Sequence, residues 1–299
     1  MKRKLIKQAN QAYTITLPIE WIRKNGLTGK EEIDLEVAEK SIIITTLAQK
    51  TIQKTKLDAA NISNRALYQN ISALYVKGID EIEITAKNEI LNLNEIMSNL
   101  IGFAIISQKN NIYVIKDLNF GNYPDLDEIF KRVFQMILLF LESAINDVFS
   151  KQEEKLDSLK ARDIEVNKFC LYLQRSINKK SYPDIIKGRA LFTYSFELEK
   201  ISDEIERFWR TNIKYHPEKK EDIKKIAELV LNGLEKAFDG LYGIDKKASE
   251  DIYALREKIR EKSMQIKTKD ANTIRMIRHL VKIVEEAADL NPLTLLIKN

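Results

Sequence analysis

Two pairs of oxygen-bearing side chains stand four residues apart: Glu199 and Asp203 in ELEKISDEIER, and Asp163 and Asn167 in RDIEVNKF. A helix advances about 100° per residue, so each pair lies one turn apart and can reach a common point. Carboxylate and amide oxygens are the donors that Mg²⁺ and Ca²⁺ prefer and that iron or manganese accept. Like charges at this spacing repel slightly, a cost that a bound cation would remove. One helix cannot complete a ligand shell. A site needs both helices face to face, as bundle metal sites are built, with Glu165 close by. The competing reading is an ordinary solvated helix face, balanced by Lys168, Lys200 and Arg207.

A second chemistry sits at the front of the chain. Lys2, Arg3, Lys4 and Lys7 precede the first acidic residue, Glu20, and Arg23 and Lys24 follow it. Such cations suit phosphate contacts, and the arginines also suit guanine edges. A merely solvated basic end is the alternative. Elsewhere the chemistry is sparse. Cys170 is the only cysteine, so no intramolecular disulfide forms, and its FCLYL setting reads as core. His216 and His279 have no second His or Cys at ligand spacing. There is no Gly-rich phosphate loop, nucleophile elbow or zinc motif, so an enzyme is not expected.

The elements that must position these residues divide the chain into an α+β arrangement. With 299 residues, 44% of them apolar, and a net charge of only +5, the chain can bury real cores. MKRKLIKQANQAY lacks the apolar stretch of a signal peptide, and MILLFL is too short to span a bilayer. A soluble, cytoplasmic protein without membrane insertion is therefore expected. Residues 1–48 read as strands around a short helix: YTITLP, then IEWIRKNGL with Gly26 at its end, then two β-rich runs turning at Glu39 and Lys40. Residues 49–121 read as a small α/β region. It has a helix capped by Ser63, a strand EIEITA, a helix LNEIMSNLIG, and a hairpin turning at Asn110 and Asn111. Residues 122–299 read as six helices, near 124–150, 152–178, 183–212, 217–244, 246–267 and 270–291, punctuated by Pro183 and Pro217. Leu198, Ile201, Ile205, Phe208 and Trp209 form one apolar stripe. The third and sixth helices align as LEKISDEIERF and LVKIVEEAADL, which suggests one three-helix unit used twice, over 122–214 and 215–299.

The stretch QAYTITLPIEWIRKNGLTGKEEIDLEVAEKSIIIT resembles the AbrB/SpoVT swapped-hairpin domain, with Pro18, Gly26, Leu27 and Gly29 at the family's positions. Lys30 stands where that family has an acid, followed by Glu31 and Glu32. The resemblance implies an interlocked homodimer whose basic face binds DNA, here through Lys2, Arg3, Lys4, Lys7, Arg23 and Lys24. RDIEVNKF and LEKISDEIERF resemble the second- and third-helix motifs of the PhoU family of phosphate-uptake regulators, across roughly residues 123–299. That family is built of two three-helix bundles whose acid-xxx-Asp patterns hold metal clusters. Here it implies Asp163, Asn167, Glu199 and Asp203 as ligands in the first bundle, for one divalent ion (Mg, Mn, Fe or Zn) or none. The second copy has Val281 with Glu285 and Asp251 with Leu255, a degraded site. A swapped hairpin ahead of PhoU-like bundles resembles an archaeal arrangement. It implies a DNA-binding regulator of phosphate uptake and homeostasis. The alternatives are an adaptor docking on phosphate ABC transporter components or a signalling protein without binding DNA and, third, a carboxylate-bridged metal enzyme.

Overall fold

The computed structural model describes residues 2–8, 12–38, 41–46, 52–118, 126–149, 156–179, 184–218, 221–243 and 247–298. The chain divides into two units, Met1–Thr51 and Ile52–Asn299.

In the first unit, β1 (Ile6–Gln8) pairs antiparallel with β2 (Ala12–Thr14), and β3 (Ile33–Ala38) with β4 (Ser41–Thr46). Between them lies α1 (Ile19–Lys24), which starts after Pro18 at φ −62, a value the proline ring presets. The expected turn at Glu39 and Lys40 lies outside the described residues. The two hairpins form separate two-stranded sheets, and an isolated hairpin is marginal in water. None of the residues of this unit whose burial is described is buried. Leu35, Val37 and Ile42 are 60%, 76% and 63% exposed.

The second unit begins with an α/β layer. Strand β5 (Lys54–Asp58) crosses over through α2 (Asn64–Lys77) to parallel β6 (Glu81–Thr85); α3 (Leu93–Ser98) and the hairpin β7 (Phe103–Lys109) and β8 (Ile112–Asp117) follow. The sheet order is β5-β6-β8-β7. Ser63 caps α2 by accepting from the Ala66 amide. Asn110 and Asn111, at φ 52 and 58, make the tight hairpin turn expected of them. Strand β5 was not legible in the sequence, because KTKLD carries a charged edge rather than an apolar alternation. Lys54 and Lys56 pair with Glu81 and Glu83 on β6, each at 2.8 Å, and edge lysines also discourage further strand pairing.

Six long helices follow: α4 (Leu126–Phe149), α5 (Leu156–Lys179), α6 (Ile185–Tyr215), α7 (Glu221–Tyr242), α8 (Ala248–Gln265) and α9 (Ala271–Lys298). Helices α4–α6 pack mutually, as do α7–α9, giving two three-helix bundles joined along α6 and α9 and along α4 and α7. The bundles share one continuous apolar core. The predicted stripe Leu198, Ile201, Ile205, Phe208 and Trp209 is fully buried in it. The last helix does not end before Pro292 as expected. It continues to Lys298, because Leu290 and Thr294 are buried and Leu293 and Ile297 pack on the core, which offsets the backbone bond the proline lacks.

Candidate functional site

Helices α5 and α6 bring the sequence-predicted oxygen donors to one seam. Asp163 accepts from the Ser202 hydroxyl at 2.9 Å and from the Asn167 amide at 3.3 Å. The other Asn167 atom, its carbonyl oxygen, is buried without a partner. Burial, followed by the negative charges of Asp203 and Asp163, pushes Glu199 up to about 7. Burial also dominates at Asp163, raised to about 6 against the Ser202 bond, with the charge of Asp203 adding to the rise. Tyr68, reaching from α2, lies in the field of both carboxylates.

Negative charge on Glu199 and Asp163 is therefore costly in the seam. Asp203 is the exception, since Arg207 holds it at 2.6 Å. Lys200 turns instead to Glu197 at 2.8 Å. Glu165, expected near the site, lines a groove with Met136, Leu139 and Phe140 between α4 and α5. Among the described residues, no three Asp, Glu, His or Cys side chains come together as a ligand set. The oxygen donors that remain at the seam, Asp163, Glu199 and the Asn167 carbonyl, are too few for a metal cluster. In the second bundle a guanidinium stands where a cation would be useful: Arg260 donates to Glu285 from Nε at 2.9 Å and from Nη2 at 2.8 Å. The copy that reads as degraded is thus internally neutralised.

The raised carboxyls carry a pH consequence. Glu199 moves from an ordinary value of 4.5 to about 7, so the folded chain keeps a proton that the unfolded chain releases at lower pH. Stability contributed by that proton is full below the lower value, falls as pH rises through the window, and is gone above it. Urea midpoints should decline between about pH 5 and about pH 8, and Glu199→Gln should flatten the decline. An unchanged slope in the variant would mean that Glu199 is not the titrating group.

In the N-terminal unit, Lys2, Arg3, Lys4 and Lys7 flank and enter β1, and Arg23 and Lys24 end α1; all six are exposed. None makes an ion pair with a described residue. The acid missing at Lys30 is supplied one residue later. The Glu31 carboxylate accepts from the backbone amides of Thr28, Gly29 and Lys30 at 2.9–3.1 Å and from the Thr28 hydroxyl at 2.6 Å. These bonds, led by that of Thr28, hold Glu31 down at about 2. Gly29 sits at φ 93, a conformation that a side chain resists.

Two networks escaped the sequence reading. His279, expected to be solitary, bonds buried Glu204 at 2.7 Å, with Lys282 at 2.6 Å and Arg207 also on that carboxylate. The His279 and Lys282 contacts tie α6 to α9. Although burial opposes ionisation of Glu204, its hydrogen bonds to His279, Lys282 and Arg207 hold the carboxyl down at about 2. The second network centres on Arg175, 1% exposed, which joins α5 to Asp80 and Asp117 of the α/β layer. The contacts of Arg175, and those of His279 and Lys282 with Glu204, have no spacing signal, because these partners lie 58–100 residues apart along the chain.

Comparison with known proteins bears on both halves. Residues 6–51 match the family model described as antidote–toxin recognition MazE, a bacterial antitoxin. The N-terminal unit is accordingly MazE/AbrB-like. Among solved structures, the phosphate transport system regulatory protein PhoU from Streptococcus pneumoniae aligns with a TM-score of 0.47 and 14% identity, over 58% of this chain and 94% of that chain. No curated protein matches the chain.

Proposed function

We propose that this chain is a DNA-binding regulator of phosphate uptake, with the N-terminal unit as its DNA-binding dimer and the helical bundles as its sensor or relay. One observation carries the DNA reading. The unit that matches the MazE model exposes six unpaired cations and a set of strand apolar side chains that a single copy leaves uncovered. A second copy that covers those side chains would double the basic surface and align it with both strands of a duplex. The phosphate reading rests on the PhoU-like motifs RDIEVNKF and LEKISDEIERF, whose donor residues meet at one seam. At that seam Asp163, Asn167 and Glu199 would hold one divalent ion, which would supply the positive charge the seam lacks. The role is one of binding and relay rather than catalysis, with phosphate transport components as further partners.

The test is a titration of labelled DNA at several salt concentrations, with wild type and Arg23→Ala/Lys24→Ala. Tight binding at low salt should fall steeply as salt rises, and the double variant should lower affinity and reduce the salt slope by roughly the number of phosphate contacts removed. Repeating it with chelator-treated protein, with and without MnCl₂, for wild type and Glu199→Gln, addresses the ion. No binding at low salt would leave the adaptor reading, in which the first unit only dimerises. An Mn²⁺ response identical in the two proteins would remove the seam from the relay.

A further inference from the structure

The α/β layer has the geometry of a coupling between the helical bundles and the chain that leads to the N-terminal unit. Asp80, at the foot of β6, is 1% exposed and divides its two carboxylate oxygens between two destinations. Its Oδ1 accepts from Lys179 at 2.6 Å and from Arg175 at 3.1 Å, both on α5. Its Oδ2 accepts from the backbone amide of Gln53 at 2.9 Å. Gln53 is bound again from the other side, since its carbonyl accepts from the Asp80 amide at 2.8 Å and the Glu81 amide at 3.1 Å. Gln53 lies two residues past Thr51, where the N-terminal unit ends. One carboxylate therefore grips the root of β5 with one oxygen and helix α5 with the other.

The α5 side of the grip is equally built. Arg175 donates to the carbonyls of Tyr75 and Ile79 at 2.7 and 2.8 Å and to Asp117 at 2.7 Å. Its guanidinium lies 4.9 Å from the ring centres of both Tyr75 and Phe103. Asn178 adds a bond to the Val76 carbonyl at 2.8 Å. A planar guanidinium with both terminal nitrogens bonded twice has one orientation, so the end of α5 cannot shift without moving Asp80. The same helix carries Asp163 and Asn167 of the acidic seam. Arg175 follows Asn167 by eight residues, about 12 Å along one rigid helix.

We propose that Asp80, Arg175 and Lys179 are coupling residues, transmitting the state of the α5–α6 seam to the chain at Gln53 and so to the base of the N-terminal unit. The proposal rests on the reading that the bundles sense and the first unit responds. Allosteric coupling requires an element that both sites bias; here that element is α5.

The experiment is hydrogen exchange in the full chain, read in the segment 52–58. The seam is perturbed by Glu199→Gln and, separately, by MnCl₂ on chelator-treated protein. Either perturbation should change exchange of this segment by about fivefold or more, the low end of ordinary coupling. Lys179→Met, at a partly buried position, should reduce that change to less than about twofold. Asp80→Asn, which keeps an oxygen for Gln53 but loses the charge, should do the same if Lys179→Met proves too mild. No change under either perturbation, or an equal change with the grip cut, overturns the proposal. DNA affinity measured on the same samples separates the two ideas: absent DNA binding would remove the reading of the N-terminal unit while leaving the exchange coupling standing or fallen on its own data.

Discussion

Arg175→Met is expected to destabilise the second unit by about 3–5 kcal/mol, the range for removing one partner of a buried ion pair. The guanidinium is buried with Asp80 and Asp117, themselves 1% and 4% exposed. Without it, Asp80 keeps Lys179, whereas Asp117 loses its guanidinium in a setting where a charge is costly. Methionine fills much of the volume, so packing loss is the smaller part of the effect. Two carbonyls, of Tyr75 and Ile79, also lose a donor. Urea unfolding followed by the fluorescence of buried Trp209 measures the loss. The double variant Arg175→Met/Asp117→Asn should recover a portion, because it removes the buried charge that lost its guanidinium. A loss below about 1 kcal/mol for the single variant would place Arg175 in the class of surface ion pairs and would contradict its burial.

The second large effect is expected on the face of β3. Leu35→Glu/Val37→Glu should convert a dimer to a monomer and remove DNA binding. In one copy these side chains are 60% and 76% exposed, so a chain that acted alone would tolerate the change within about 0.5 kcal/mol. Covered by a second copy, each contributes about 1.5–3 kcal/mol of apolar burial, and a glutamate there adds the cost of desolvating a charge. Sedimentation at several concentrations distinguishes the two. A variant that sediments as wild type and binds DNA as tightly would show that this face stays in solvent.

Parts of this architecture were plain in the residue pattern. Tight turns are local: Asn110 and Asn111 accept positive φ, and Ser63 caps the helix that follows it. The α6 stripe was legible because a 3.6-residue period does not depend on what the helix packs against. Strand β5 was missed because what holds it, the backbone ladder to β6 with Lys–Glu pairs across it, lies on another strand. The end of α9 was missed because tertiary burial of Leu290 and Thr294 overrides the local preference of Pro292.

The candidate site divides in the same way. Spacing alone placed Glu199 with Asp203 and Asp163 with Asn167 on single turns, since four residues along a helix always return to one side. Which of these acids is given a partner was decided only by packing. Arg207 takes Asp203, Ser202 and Asn167 take Asp163, and no cation among the described residues is held against Glu199 in the manner of Arg207 on Asp203. The partners that tie distant elements together, Arg175 to Asp80 and Asp117, and His279 and Lys282 to Glu204, come from distant stretches of chain. By itself, then, the sequence determined the helices, the turns and the chemical types on each face, all set by interactions within a few residues. The tertiary structure alone decided which charges are buried and which are neutralised, because a charge's energy depends on every group within a few ångströms, however far away it lies along the chain.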